Sequence, residues 1–138
     1  MVLVLAADHP LKDAGIKKEG CKYPWLDLHL LADEPFILQP SGQRTRQTVD
    51  QLFKICHFHP QVRLQTSNIS AAAELASRGY AACFVTETHL KHIPFKQQPL
   101  FFSVGDPNTT VDFVAAFRKG SYLSYHAQEY IKIARDFT

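Results

Sequence analysis

Cys56-His57-Phe58-His59 is the segment of this 138-residue chain whose residue types most invite chemistry. Thiolates and imidazoles are common zinc ligands, and a structural zinc site closes with four of them. Here two histidines stand two positions apart, and the other candidates, Cys83, His89 and His92, lie beyond a further helical stretch. The ligand count falls short, and the segment reads as the turn that ends a helix. A cysteine–histidine nucleophile fares no better. Cys83 stands in an apolar run, where a thiol behaves as a small inert hydrophobe. Asp33 and Glu34 are adjacent, so they cannot face one another across a substrate. Ser41-Gly42 follows a strand but lacks the glycine spacing and the lysine of a phosphate loop. Phe101-Phe102, Phe113 and Phe117 have too few basic neighbours for a nucleic-acid stacking platform and read as core. No catalytic residue, no metal and no cofactor is expected.

What remains is binding without transformation. Two polar turns, Gln39-Pro40-Ser41-Gly42 and Thr66-Ser67-Asn68, each follow a strand and precede a helix. A helix start offers unpaired N–H groups and a partial positive charge, worth ~0.3–1 kcal/mol to a nearby anion. Gln39, Ser41, Thr66, Ser67 and Asn68 are therefore the candidate ligand contacts, for a small anion. Ser41 and Asn68 also read as simple helix caps, and the two roles are compatible. Arg44 and Arg46, in the first turn of the following helix, could add charge, one of them pointing to solvent.

These turns belong to a block over residues 34–85 that alternates strand, helix, strand, helix, strand. Apolar runs place strands at 2–6, 36–38, 62–66 and 80–85. Val49, Leu52, Phe53 and Cys56 fall at i, i+3, i+4 and i+7 and give one apolar stripe to a helix over 43–56. An Ala-rich helix spans 69–78, and Gly79 sits where a helix ends with positive φ. Trp25-Leu26-Asp27-Leu28 reads as a short apolar turn against the sheet. Further strands are expected at 100–104 and 111–117, and a last helix from Ser121 or Ser124 to Phe137, with Leu123, Ala127, Tyr130, Ile131 and Ala134 on its apolar face. Strands joined through helices imply right-handed crossovers and a largely parallel sheet, whose ligands sit beyond the strands' carboxyl ends.

Composition narrows the field. Net charge is +2, from 15 basic and 13 acidic residues mixed along the chain, which argues against a nucleic-acid surface. Three cysteines without C-x-x-C spacing fit a reducing cytoplasm. No apolar run approaches the ~20 residues that span a bilayer, so no membrane partner is expected. The apolar start lacks a basic leader and reads as a strand.

Taken together, the order and spacing of these residues resemble the effector-binding domain of LysR-type transcriptional regulators. The resemblance runs through Leu3-Val4-Leu5-Ala6-Ala7-Asp8-His9-Pro10-Leu11, Leu26-x-Leu28, Glu34-Pro35-Phe36-Ile37-Leu38, Phe58-x-Pro60-x-Val62 and the Thr66-Ser67-Asn68 turn. It continues in Ala76-x-x-Gly79-Tyr80-Ala81-Ala82 and in Leu123-Ser124 through Ile131, covering nearly the whole chain. It implies an α/β, type-2 periplasmic-binding-protein-like fold: one complete lobe, three layers with a mainly parallel sheet, and a partial second lobe. By similarity, residues 1–6 form the first crossing, 7–91 lobe two, and 92–138 the second crossing (near 92–98) with the returning part of lobe one. The function implied is non-catalytic sensing of a small anionic effector in a bacterial cytoplasm. Family members carry a winged helix-turn-helix, a linker helix and half of lobe one ahead of the segment that opens this chain. The expectation is therefore a fragment that reaches DNA only through a domain absent from it. Such a fragment is expected to self-associate, with residues 100–117 pairing across copies. The alternative is a periplasmic-type solute-binding protein of transport, which the missing leader disfavours. A small α/β enzyme is weaker still, for want of a convergent nucleophile and base.

Overall fold

The computed structural model describes residues 1–107 and 114–136. Its centre is a five-stranded sheet of order β3-β2-β4-β1-β5, built from β1 (Val2–Leu5), β2 (Pro35–Leu38), β3 (Gln61–Gln65), β4 (Ala82–Val85) and β5 (Leu100–Ser103). The helices are α1 (Arg44–Ile55), α2 (Ile69–Ser77), the single turn α3 (Glu87–Leu90) and α4 (Tyr125–Asp136), with a 3-10 turn at Leu28–Leu31. β2 pairs parallel with both β3 and β4, as two strand–helix–strand crossovers require. β1 is inserted antiparallel between β4 and β5. Because β5 runs antiparallel to β1, four of the five strands point one way and β1 alone is reversed.

Alternation along the strands sends side chains to two cores. Leu3, Leu5, Phe36, Leu38 and Phe84 face α1 and the 3-10 turn, where they meet Val49, Phe53 and Phe58. Phe36 lies 5.6 Å from Phe53 and 5.7 Å from Phe58, both edge-on, the geometry aromatic pairs prefer. Val4, Ile37, Cys83 and Val85 face α2. There Ala72, Ala73 and Ala76 are fully buried, so the small side chains do bring that helix close to the sheet.

Both helices stop the same way. After α1, His57 takes φ 50°, its N–H donates to the Lys54 carbonyl, and the Phe58 N–H reaches back to Phe53 at 2.8 Å. After α2, Gly79 takes φ 77°, and the Tyr80 N–H bonds the Leu75 carbonyl at 3.1 Å. The left-handed residue closes the helix by satisfying its last carbonyls. The histidine that invited a metal reading is thus a backbone stop.

Three expectations change. β5, within the strand expected at 100–104, hydrogen-bonds to β1 and continues the same sheet. The outer edge of β5 is occupied at Ser103, which accepts from the Leu26 N–H and donates to the Pro24 carbonyl, each at 2.9 Å. Cross-copy pairing of this segment therefore meets an edge already used there. The strand expected at 111–117 is irregular over residues 114–117, and the rest of it lies outside the described residues. Finally, α4 is amphipathic and starts directly after Ser124, whose Oγ accepts the Ala127 N–H, but none of its residues is buried. Phe137, its expected end, lies outside the described residues.

Candidate functional site

Parallel strands deliver their carboxyl ends to one edge of the sheet. β2 ends into Gln39-Pro40-Ser41-Gly42 and β3 into Thr66-Ser67-Asn68. The two turns are neighbours, because Leu38 pairs with Gln65 and the Thr66 N–H donates to the Leu38 carbonyl at 3.0 Å. The structure therefore brings all five sequence-derived candidates to one edge.

Their states differ. Asn68 caps α2, its Oδ1 accepting the Ala71 N–H at 3.0 Å. The Thr66 Oγ1 accepts the Asn68 N–H at 3.1 Å. Ser67 is exposed. Ser41 is exposed too and does not cap α1: Gly42 takes φ 97°, the chain runs on, and Gln43 becomes the N-cap without a side-chain cap bond. A capping side chain must stand directly before the first helical turn, and Ser41 is two residues too early. Gln39 is the surprise. It is 1% exposed, and its side-chain oxygen has no hydrogen-bond partner among the described residues. An unpaired buried polar atom costs about 1–3 kcal/mol.

The arginines divide as expected. Arg46 is held inward, donating from Nη1 to the Gln39 carbonyl and from Nε to Asp50, both at 2.8 Å. Arg44 points outward and is exposed. First-turn basic charge with no acidic residue there leaves the α1 start electropositive.

Sequence reasoning missed the third strand end. β4 runs parallel to β2, so Thr86 and Glu87 arrive at the same edge. The signal was available, since the rule that selected Gln39 and Thr66 applies equally to the residue after Val85. The Thr86 Oγ1 bonds His89 Nδ1 and Thr88, and Glu87 forms an ion pair with Lys22. The hydrogen bond that Lys22 donates to the Glu87 carboxylate holds its ammonium above its usual range. A hollow of about 240 Å³ reaches this edge at Val2, Glu87 and Val104, with Thr48, Gln51 and Ile55 along its α1 wall. None of the five candidates lines it.

The chemistry on offer is that of a binding surface. No three His, Cys, Asp or Glu residues among the described residues gather where they could hold a metal. Burial pushes the Cys83 thiol up to about 12, so it stays protonated near neutrality. Burial, and secondarily the charge of Asp27, raises the Cys56 thiol as well. No helix among the described residues is long and apolar enough to cross a membrane.

An open α/β sheet carrying helices on both faces and polar turns at its carboxyl edge defines a type-2 periplasmic-binding-protein-like lobe. The LysR substrate binding domain model matches residues 1–138, and the chain belongs to that family. HinK, a LysR family transcriptional regulator from Pseudomonas aeruginosa, superposes with TM-score 0.76 at 19% identity, over 99% of this chain and 43% of its own. The effector binding domain of QuiR in complex with shikimate gives TM-score 0.67 at 21% identity, covering 99% and 59%. The Synechocystis PCC6803 CcmR regulatory domain in complex with 2-PG gives 0.72 at 20%, covering 99% and 62%. The chain thus spans about half the length of these solved structures. No curated protein matches the sequence. The resemblance read from the residues is borne out, and the family model is that of LysR regulators rather than of a transport protein.

Proposed function

We propose that this chain is the effector-sensing part of a LysR-type transcriptional regulator and binds a small anionic metabolite without covalent chemistry. The contacts are Gln39, Ser41, Thr66, Ser67 and Asn68. One observation carries the reading: two strand–turn–helix units place their helix starts side by side on one edge. First-turn N–H groups have no partner within their own helix and are suited to a carboxylate or phosphate. Small ligands in two structural relatives, shikimate in QuiR and 2-PG in CcmR, support the size class.

On this reading the signal is differential affinity for two arrangements of lobes or subunits. DNA contact belongs to a domain outside these residues, and the protein works in the cytoplasm. Self-association uses exposed apolar side chains near the end of the chain, among them Val114, Phe117 and Tyr122. A strictly monomeric mass by light scattering at high concentration would contradict it.

The site is tested by ¹H–¹⁵N NMR of the chain titrated with benzoate, lactate and shikimate. Amide shifts are expected at Gln39 and from Thr66 to Ile69. Shifts confined to the hollow beside Lys22 and Glu87, or no shifts at all, would remove the assignment.

A further inference from the structure

Gln39 is a long polar side chain, 1% exposed, whose amide oxygen finds no donor among the described residues. Natural cores rarely tolerate that, and each such group calls for an explanation. Its direction follows from the strand. Ile37 packs in the cluster beneath α2, and side chains alternate along β2, so Gln39, two residues on, leaves the sheet on the α2 side. The register places it next to Thr66, at the level where α2 begins. Asn68 takes the Ala71 N–H there, which leaves the Ile69 and Ser70 N–H groups of the first turn to an outside acceptor. A buried, unpaired acceptor thus lies beside a row of free donors. Among the described residues the Gln39 amide oxygen has no hydrogen bond to give up when a donor arrives.

We propose that Gln39 is the specificity residue of this edge, and that it selects an effector carrying a hydroxyl beside its carboxylate. The carboxylate meets the first turn of α2, while the hydroxyl donates to the Gln39 amide oxygen. This rests on the reading of the edge as the effector site. A site built to accept a hydrogen bond from a substrate hydroxyl discriminates strongly against the analogue lacking it. A carboxylate without the hydroxyl leaves the amide oxygen unpaired and gains only the contact at the helix start.

The test uses two pairs of probes, lactate with propionate and salicylate with benzoate, titrated into the chain and followed by NMR. The wild-type chain should bind the hydroxylated member of each pair on the order of tenfold more tightly, about 1.4 kcal/mol. The Gln39 side-chain NH₂ resonances should move only with that member. In Gln39→Met, of similar length but without the amide, the ratio should fall to about one while Ile69 and Ser70 amides still shift with both. An equal ratio in the wild type, or a preference retained in Gln39→Met, overturns the inference and leaves the edge assignment standing. Absence of any shift at Ile69 and Ser70 with all four probes overturns both. A ligand-free measurement bears on the premise: removing an unpaired buried acceptor should raise the Tm of Gln39→Met by on the order of 3 °C. An unchanged or lower Tm shows that the amide is satisfied and removes the argument.

Discussion

The two strand–turn–helix units at the carboxyl edge solve one geometric problem with opposite economies. In the second unit, β3 to α2, the polar side chains are used locally. Thr66 and Asn68 accept backbone N–H groups of their own turn, and Gly79 closes the helix without steric cost. In the first unit, β2 to α1, almost nothing polar is settled. Ser41 does not cap α1, Gln43 caps without its side chain, the Gln39 side-chain oxygen has no partner among the described residues, and a non-glycine residue ends the helix at φ 50°. The first unit has what the second lacks: an aromatic core of Phe36, Phe53, Phe58 and Phe84. Strong packing lets its turn leave groups open. The difference also reorders the candidate site, because the groups that looked most available, Thr66 and Asn68, are already engaged, whereas the Gln39 amide oxygen has no partner among the described residues.

Five substitutions probe that contrast. The largest effect is expected from Phe53→Ala, which opens the aromatic cluster under α1. Loss of about 3–5 kcal/mol by urea denaturation is the typical cost of such a cavity. A loss below about 1 kcal/mol would show that packing does not hold the first unit. Next, Asn68→Ala should lose about 1 kcal/mol, the value of an N-cap, while Ser41→Ala should be neutral within error. Equal losses would erase the distinction between the turns. The smallest effects have opposite signs at the two helix stops. His57→Gly should raise the urea midpoint and Gly79→Ala lower it, each by about 0.5–1 kcal/mol of stability. A Cβ at Gly79 would meet only the Ala6 Cβ, at 3.7 Å, so its penalty is one of φ alone. A destabilised His57→Gly would mean that the imidazole itself, not the backbone, matters there.

Much of this was legible in the residues. The α1 stripe of Val49, Leu52 and Phe53, the Asn68 cap and the Gly79 stop are local features whose chemistry does not depend on distant chain. What escaped was set by partners far away. β1 reads as a buried strand, but nothing in Val2-Leu3-Val4-Leu5 says that it lies antiparallel between β4 and β5. Gln39, followed by proline, reads as an exposed turn; its burial comes from the surrounding tertiary structure. The last helix reads as amphipathic with an apolar face, yet Tyr130 of that face is 71% exposed and no residue of α4 is buried. Of the site, the location was readable and the occupancy of each hydrogen-bonding atom was not.

The reversed strand β1 also sets a timetable. Val2 takes Val85 and Ser103 as neighbours, so the second strand in from one edge of the sheet waits for partners from the far part of the chain. Contacts of such sequence separation make folding slow relative to helical domains of equal size. During synthesis Val2–Leu5 leaves the ribosome before its sheet partners, wholly apolar, and waits until β4 and β5 follow. That interval, rather than any weakness of the finished sheet, is when this chain is most exposed to aggregation and to chaperones.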